Sequence, residues 1–185
     1  MSGRGLGFTG GTVDKLESIT GFRSVLSREE FIEQVKKCGI AVIAQTPKIA
    51  IADGLMYALR DVTGTVDSIP LIASSVMSKK IAVGADAILL DIKVGEGAFM
   101  KSESQAQELG KSMKSIGELL GRKIEIQLSA MDEPLGATIG NAIEVKEAVQ
   151  MLRDENTDPH FRQLVLSSAV ILARMVDPNL TEKDA

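Results

Sequence analysis

The chain has 185 residues, 44% of them hydrophobic, a formal net charge of −4 and a single cysteine. A chain of this length holds one sizeable core or part of a larger one. Its basic residues are interspersed with acidic ones, and with one Tyr, no Trp and five Phe it lacks the aromatic interleaving that stacks on bases, so nucleic-acid binding is not expected. One cysteine excludes an internal disulfide framework; no apolar stretch of membrane-spanning length and no secretory segment are visible, and a cytoplasmic location is the default expectation.

The chain opens on Ser2-Gly3-Arg4-Gly5-Leu6-Gly7-Phe8-Thr9-Gly10-Gly11-Thr12, which has five glycines, three hydroxyl side chains and a guanidinium. So few side chains let backbone amides approach an anion, while the hydroxyls and Arg4 add donors. The spacing is not that of a P-loop, since no Lys-Ser or Lys-Thr pair follows, and no strand precedes it as a dinucleotide fingerprint requires. A phosphate-handling loop and a flexible Gly-rich terminus both remain open from composition.

Ser27 followed by Glu30 is a capping box with Leu26 placed as a hydrophobic staple, predicting a helix over about 28–38 that presents Phe31, Ile32 and Val35 on one side. Gly39 ends it. Ile40-Ala41-Val42-Ile43-Ala44 reads as a buried strand, and Cys38 at the junction as a small buried residue rather than a catalytic thiol. Ala52, Leu55, Met56 and Leu59 recur at helical spacing; Val62 to Ser68 interrupts the pattern, and Pro70 starts a second helix carrying Ile72 and Val76. Ala87 to Ile92 is the strongest strand signal, with Lys93 to Phe99 as a candidate active-site loop at its carboxyl end. Ala106, Leu109, Met113, Ile116 and Leu120 trace one face of a long helix closed by Gly121. Lys123 to Leu128 alternates as a strand, Met131 to Gly136 forms a loop, and helices follow over 142–153, with Val145, Ala148, Val149 and Leu152 inward, and over about 160–175. This order predicts an α/β fold: a partial, mostly parallel sheet with flanking helices plus an inserted helical segment.

Ser75 and Lys79 lie four apart on one predicted helix face, and Arg60 lies on the preceding helix. A hydroxyl and two cations aimed together can hold a planar polar ligand or a developing anion; the plain alternative is a surface Ser and two solvated basic residues. Asp91 with Lys93 could organise a loop or orient a substrate. Glu144 and Glu147 could hold a cation or sit as ordinary helix-surface carboxylates. His160 is the only histidine, which speaks against a zinc set and against a Ser-His-Asp triad.

Together with the opening Ser2 to Glu17, the segments Ala52-Asp53-Gly54, Tyr57 to Ser68 with Arg60, Asp91 to Phe99 and Met131 to Gly136 closely resemble the pyrimidine-nucleoside phosphorylase family, in unbroken order from residue 2 to about residue 155. The resemblance implies cleavage of the glycosidic bond of thymidine, uridine or deoxyuridine by inorganic phosphate, giving free base and a pentose 1-phosphate. It implies a homodimer, no organic cofactor, and inorganic phosphate as co-substrate. Residues 1–50 and 85–185 would belong to a large α/β phosphate-binding domain and residues 52–83 to a small all-α pyrimidine-binding domain. Ser2 and Thr12 would bind phosphate. Arg60, Ser75 and Lys79 would hold the pyrimidine and serve as the catalytic donors. Backbone oxygens of Leu135 and Thr138 with the carboxylate of Glu147 would form part of a potassium site.

Family members are more than twice as long. The chain reads as a central fragment, without an N-terminal part carrying a second phosphate-binding Lys and Ser and a base-pocket histidine, and without a C-terminal part. Phe8 replaces a usual histidine. Losing several donors predicts impaired or absent turnover, and uncovered apolar faces predict association. A related phosphoribosyl-transfer enzyme and a nonenzymatic phosphate- or nucleoside-binding remnant are the competing readings.

Overall fold

The computed structural model describes residues 2–5, 10–46, 49–65, 67–155 and 158–185. The expectation placed on Phe8 lies outside the described residues. The chain forms two compact units, one of residues 1–47 and 136–158, the other of residues 48–135 and 159–185. The architecture is mixed α/β with a parallel sheet flanked by helices, as the sequence order implies.

The first unit holds α1 (Thr12–Leu16), α2 (Arg28–Cys38) and α6 (Asn141–Leu152). The capping box forms as expected: the Glu30 amide donates to Ser27 Oγ at 3.1 Å and the Ser27 amide to Glu30 Oε2 at 2.8 Å. Gly39 closes α2 in the left-handed region at φ 77°. The expected apolar face of α2 is not buried; Ile32 and Val35 are exposed, and so is Cys38, whose Sγ accepts from Gln34 Nε2 at 3.3 Å. Residues 40–44 also depart from the strand expectation. Among the described residues the run pairs only through the Ser2–Ala44 bridge, and Ile40 is 67% exposed. A continuous apolar run needs neighbouring strands on both sides to become a buried ladder, and here the run meets Ser2 through a single bridge and the Ser24 carbonyl through the Ala44 amide at 2.7 Å.

On α6 the inward positions are Glu147 and Met151, whereas Val149 and Leu152, expected inside, are exposed. The helix is rotated so that a carboxylate takes a buried place. α1 packs on α6, with the Lys15 ammonium paired to the Glu144 carboxylate.

The second unit holds α3 (Ile51–Thr63), α4 (Ile69–Ala82), β1 (Ala87–Val94), α5 (Glu103–Leu119), β2 (Lys123–Ala130) and α7 (Pro159–Val176). β1 and β2 pair in parallel from Ala87↔Lys123 to Val94↔Ala130, so the strand over 123–128 is a partner of β1. The core lies on one face of this sheet: Ile88, Leu90, Ile92 and Ile124 meet Ala106, Leu109 and Met113 of α5 and Ala73 and Met77 of α4. α5 approaches the strands closely because it carries Gly117 at the crossing; a Cβ there would stand 2.2 Å from Ile124 Cγ1. α7 packs on the sheet from elsewhere in the unit, with Ser168 Oγ donating to Gln127 Oε1 at 2.9 Å.

α3 inverts its expected burial. Leu55, Met56 and Leu59 are exposed, and the described buried positions are Asp53 and Arg60, seven residues apart on one face. Helical periodicity identifies a face but not the surface that it packs against, and α3 turns Asp53 and Arg60 inward.

Candidate active site

The Lys79 side chain leaves α4 toward α3. Its ammonium sits 2.5 Å from Asp53 Oδ2 and donates to Ser75 Oγ and to the Ser75 carbonyl, each at 2.8 Å. The four-residue spacing stacks Ser75 and Lys79 one turn apart, as the sequence suggests, and both are shielded. Ser75 is buried and Lys79 only partly exposed, so the reading of a surface Ser beside a solvated lysine does not hold at these positions.

Arg60 is buried as well. Its Nη1 donates to the Leu71 carbonyl at 3.2 Å, its Nε lies 3.4 Å from the Thr65 carbonyl, and the guanidinium stands 5.3 Å from the Tyr57 ring centroid. Leu71, Ser75 and Lys79 follow one another at four-residue intervals on α4, so Arg60 docks against the same side of that helix one turn before Ser75. Two cations and a hydroxyl thus gather along α4, with one carboxylate among them.

Asp53 stands in the Ala52-Asp53-Gly54 segment, to which the sequence by itself attaches no role. The signal available was its place seven residues before Arg60, which puts it on the same face; its partner Lys79 lies on a different helix and no local pattern links them.

In the first unit the ends of the glycine-rich segment are fastened by acidic side chains. Asp14 Oδ2 accepts the amides of Gly5 at 2.7 Å and Gly11 at 3.2 Å, while Oδ1 accepts Arg4 Nη1 at 2.9 Å. The Gly5 amide, followed by Arg4, holds the Asp14 carboxyl below the usual range. Arg4 also forks onto Glu17 at 2.7 and 2.8 Å, and Ser24 Oγ donates to Glu17 Oε1 at 2.5 Å. Glu17, then Asp14, hold Arg4 charged, and Arg4 in turn lowers Glu17. Arg4, read as a further anion donor, is therefore committed to two carboxylates and acts as a brace.

Ser2 is anchored by its backbone, its amide donating to the Ile43 carbonyl at 2.8 Å and its carbonyl accepting from Gln45 at 2.9 Å. Thr12 opens α1, and the next amide, of Val13, donates to the Gly3 carbonyl at 3.3 Å. That bond ties the strand-like start of the chain to the first turn of α1.

Glu147 collects the loop before α6. Its Oε1 accepts the Ala137 amide at 2.8 Å; its Oε2 accepts the Thr138 amide at 3.1 Å and the Thr138 hydroxyl at 2.5 Å. These bonds, the Ala137 amide foremost and then the Thr138 hydroxyl, keep its carboxyl below the ordinary range. Glu144 turns elsewhere, to Lys15 and to the Gly140 amide at 3.0 Å. Burial pulls the Glu144 carboxyl up, and the Lys15 and Gly140 bonds outweigh it and bring it down. A carboxylate offers about four lone-pair directions, so after three donors Glu147 keeps acceptor capacity suited to a hard cation. Leu135 is half exposed at the end of the other unit. No group of three or more His, Cys, Asp or Glu able to hold a metal occurs among the described residues.

At the carboxyl ends of the strands, Asp91, Lys93 and Ser129 bond mutually. Lys93 Nζ lies 2.7 Å from Asp91 Oδ2 and 2.9 Å from Ser129 Oγ, and Ser129 Oγ donates to Asp91 Oδ1 at 2.6 Å. The Lys93–Phe99 loop is tied to its neighbour by the Gly97 amide, 2.8 Å from the Met131 carbonyl, and by the Glu96 amide, 3.0 Å from Asp132 Oδ1.

A family model described as Glycosyl transferase family, a/b domain, matches residues 1–184. The chain belongs to that family. Within this glycosyl transferase family it is similar to the pyrimidine-nucleoside phosphorylase of Bacillus subtilis, 56% identical over 180 residues that make up 96% of this chain and 41% of the relative. The pyrimidine-nucleoside phosphorylase of Geobacillus stearothermophilus is 57% identical over 166 residues, 90% of this chain and 38% of the relative. That of Staphylococcus aureus is 50% identical over 180 residues. The resemblance read from the motifs is borne out, and the chain spans about 41% of the length of the first of these relatives. Among the described residues no helix is long and apolar enough to cross a membrane.

Proposed function

We propose that the chain carries a phosphate-binding part and a pyrimidine-binding part of a pyrimidine-nucleoside phosphorylase, a pentosyltransferase that cleaves thymidine, uridine or deoxyuridine with inorganic phosphate. The observation that carries this reading is the gathering of Arg60, Ser75 and Lys79 along one side of α4. A phosphate oxygen attacks the anomeric carbon as the glycosidic carbon–nitrogen bond breaks, and the bonding pair leaves with the ring. Negative charge then spreads over the pyrimidine nitrogen and carbonyl oxygens. Arg60 and Lys79 offset that charge and the Ser75 hydroxyl donates to a carbonyl oxygen of the base, interactions that strengthen as the bond lengthens. Phosphate is the nucleophile, so no protein nucleophile is required.

Ser2 and Thr12 are assigned to phosphate, on a segment whose ends Asp14 and Arg4 hold in place. The division into a large domain of residues 1–50 and 85–185 and a small helical domain of residues 52–83, the homodimer and a cytoplasmic location belong to the same reading. Potassium belongs to the same reading, assigned to Leu135, Thr138 and Glu147 by the resemblance alone; it orders the loop before α6 and takes no part in bond cleavage.

The test is release of thymine or uracil from thymidine or uridine with and without inorganic phosphate, with K79M and S75A beside the unaltered chain and a longer relative as positive control. Phosphate-dependent release that drops by about two orders of magnitude on losing one donor supports the proposal. Binding of the base without turnover would instead mark a nonenzymatic remnant, and absence of both binding and release sinks the assignment.

A further inference from the structure

Asp53 is buried, yet the face of α3 beside it leaves leucines and a methionine exposed. A carboxylate withdrawn from water is costly unless a counter-charge and donors meet it. Lys79 is that counter-charge, at 2.5 Å from Asp53 Oδ2. An ammonium has three donors, and those of Lys79 are directed to Asp53 Oδ2, Ser75 Oγ and the Ser75 carbonyl.

These three acceptors differ in what they can release. The Ser75 carbonyl also faces the Lys79 backbone amide in the regular four-residue helical pattern, so it stays satisfied when the ammonium turns away from it. Ser75 Oγ accepts from Lys79 and keeps its own proton for another acceptor. Asp53 alone would be left as a buried, unneutralised charge. A ligand oxygen arriving at this place therefore takes the lysine donor now spent on the Ser75 carbonyl and the Ser75 hydroxyl proton, while the Asp53 bond persists. A lysine stem has many rotamers, and immobilising it before the ligand arrives removes that ordering cost from binding.

We propose that Asp53 is a positioning residue for pyrimidine recognition, fixing the Lys79 ammonium beside the Ser75 hydroxyl. The inference rests on the functional reading above.

The experiment uses the 185-residue chain and its D53N and D53E variants, with uracil as the probe. Uracil affinity is read from backbone amide shifts of Ser75 and Lys79 by NMR. Acetylation of Lys79 by an N-hydroxysuccinimide ester is read by mass spectrometry against the exposed Lys36 and Lys37 of the same molecules, and melting temperature reports folding. With the ion pair reduced to a hydrogen bond onto a neutral amide oxygen, D53N is expected to weaken uracil binding by about tenfold and to speed Lys79 acetylation relative to the two reference lysines. D53E, which keeps the charge but moves it, is expected between D53N and the unaltered chain. A folded D53N with unaltered uracil affinity overturns the inference whether or not Lys79 labels faster, since Asp53 then serves packing alone. If D53N does not fold, D53E carries the test by the same two readouts, and no change in either overturns the inference. An unaltered chain that fails to bind uracil takes down the functional reading itself, an outcome distinct from equal binding by wild type and variant.

Discussion

Gly136 and Glu147 fit together without room for a methyl group: a Cβ on Gly136 would lie 2.9 Å from Glu147 Oε2, and the glycine sits at φ +84°. Alanine there meets both the left-handed backbone penalty and the carboxylate that gathers the Ala137 and Thr138 amides. G136A is expected to destabilise the chain by about 1–3 kcal/mol. Urea unfolding checks this, and an unmoved midpoint would show that the loop relaxes freely.

The same carboxylate gives an acid dependence whose direction is fixed. Its folded value is depressed, so the stability it contributes is fully present above the unfolded value of about 4.3 and is lost as pH falls through the lower folded value. Asp14, Glu17, Glu30 and Glu144 are depressed too and act in the same direction. The E147Q variant is expected to lose stability at neutral pH and to show a shallower decline below about pH 4.3 than the unaltered chain. Urea midpoints measured from pH 7 to pH 3 provide the check; parallel curves would remove Glu147 from the acid response.

Asp14 holds both ends of the glycine-rich segment through the Gly5 and Gly11 amides. Removing its carboxylate in D14A frees those amides and leaves Arg4 on Glu17 alone, and is expected to weaken binding of inorganic phosphate. D14N, which retains one oxygen acceptor, is expected to weaken it less. Phosphorus NMR titration distinguishes this order from equal affinities, which would detach Asp14 from phosphate binding.

The crossing of α5 over β2 depends on a missing side chain. A Cβ on Gly117 would stand 2.2 Å from Ile124 Cγ1, so G117A is expected to cost about 1–3 kcal/mol by overpacking. I124A alone opens a cavity and is expected to cost about 2–5 kcal/mol. Because the new methyl enters the space that the isoleucine vacates, the double variant is expected to cost less than the two together. A double-mutant cycle by chemical denaturation measures that coupling, and simple additivity would contradict the packing described.

The elements whose pattern is local were readable from the sequence. Ser27 and Glu30 announce the start of α2, and the apolar residues of Ala87–Ile92 announce β1. What depends on neighbours was not. The run over 40–44 has strand composition, but its pairing rests on Ser2. The periodicity of α6 does not tell that Glu147, rather than Val149, faces inward, because that choice is made by the amides of Ala137 and Thr138. In the candidate site, the shared face of Ser75 and Lys79 follows from their spacing. The carboxylate opposite them does not, since Asp53 reaches Lys79 only once two helices have packed.

On α3 the ordinary logic of tolerated substitutions runs backwards. A designer guided by hydropathy would protect Leu55 and Leu59 and rewrite Asp53 and Arg60 freely, yet the leucines face solvent and the charged pair faces protein. Within this chain, neutralising either ion therefore strands a group shut away from water, whereas Leu55 and Leu59 form the apolar surface through which the expected association would run.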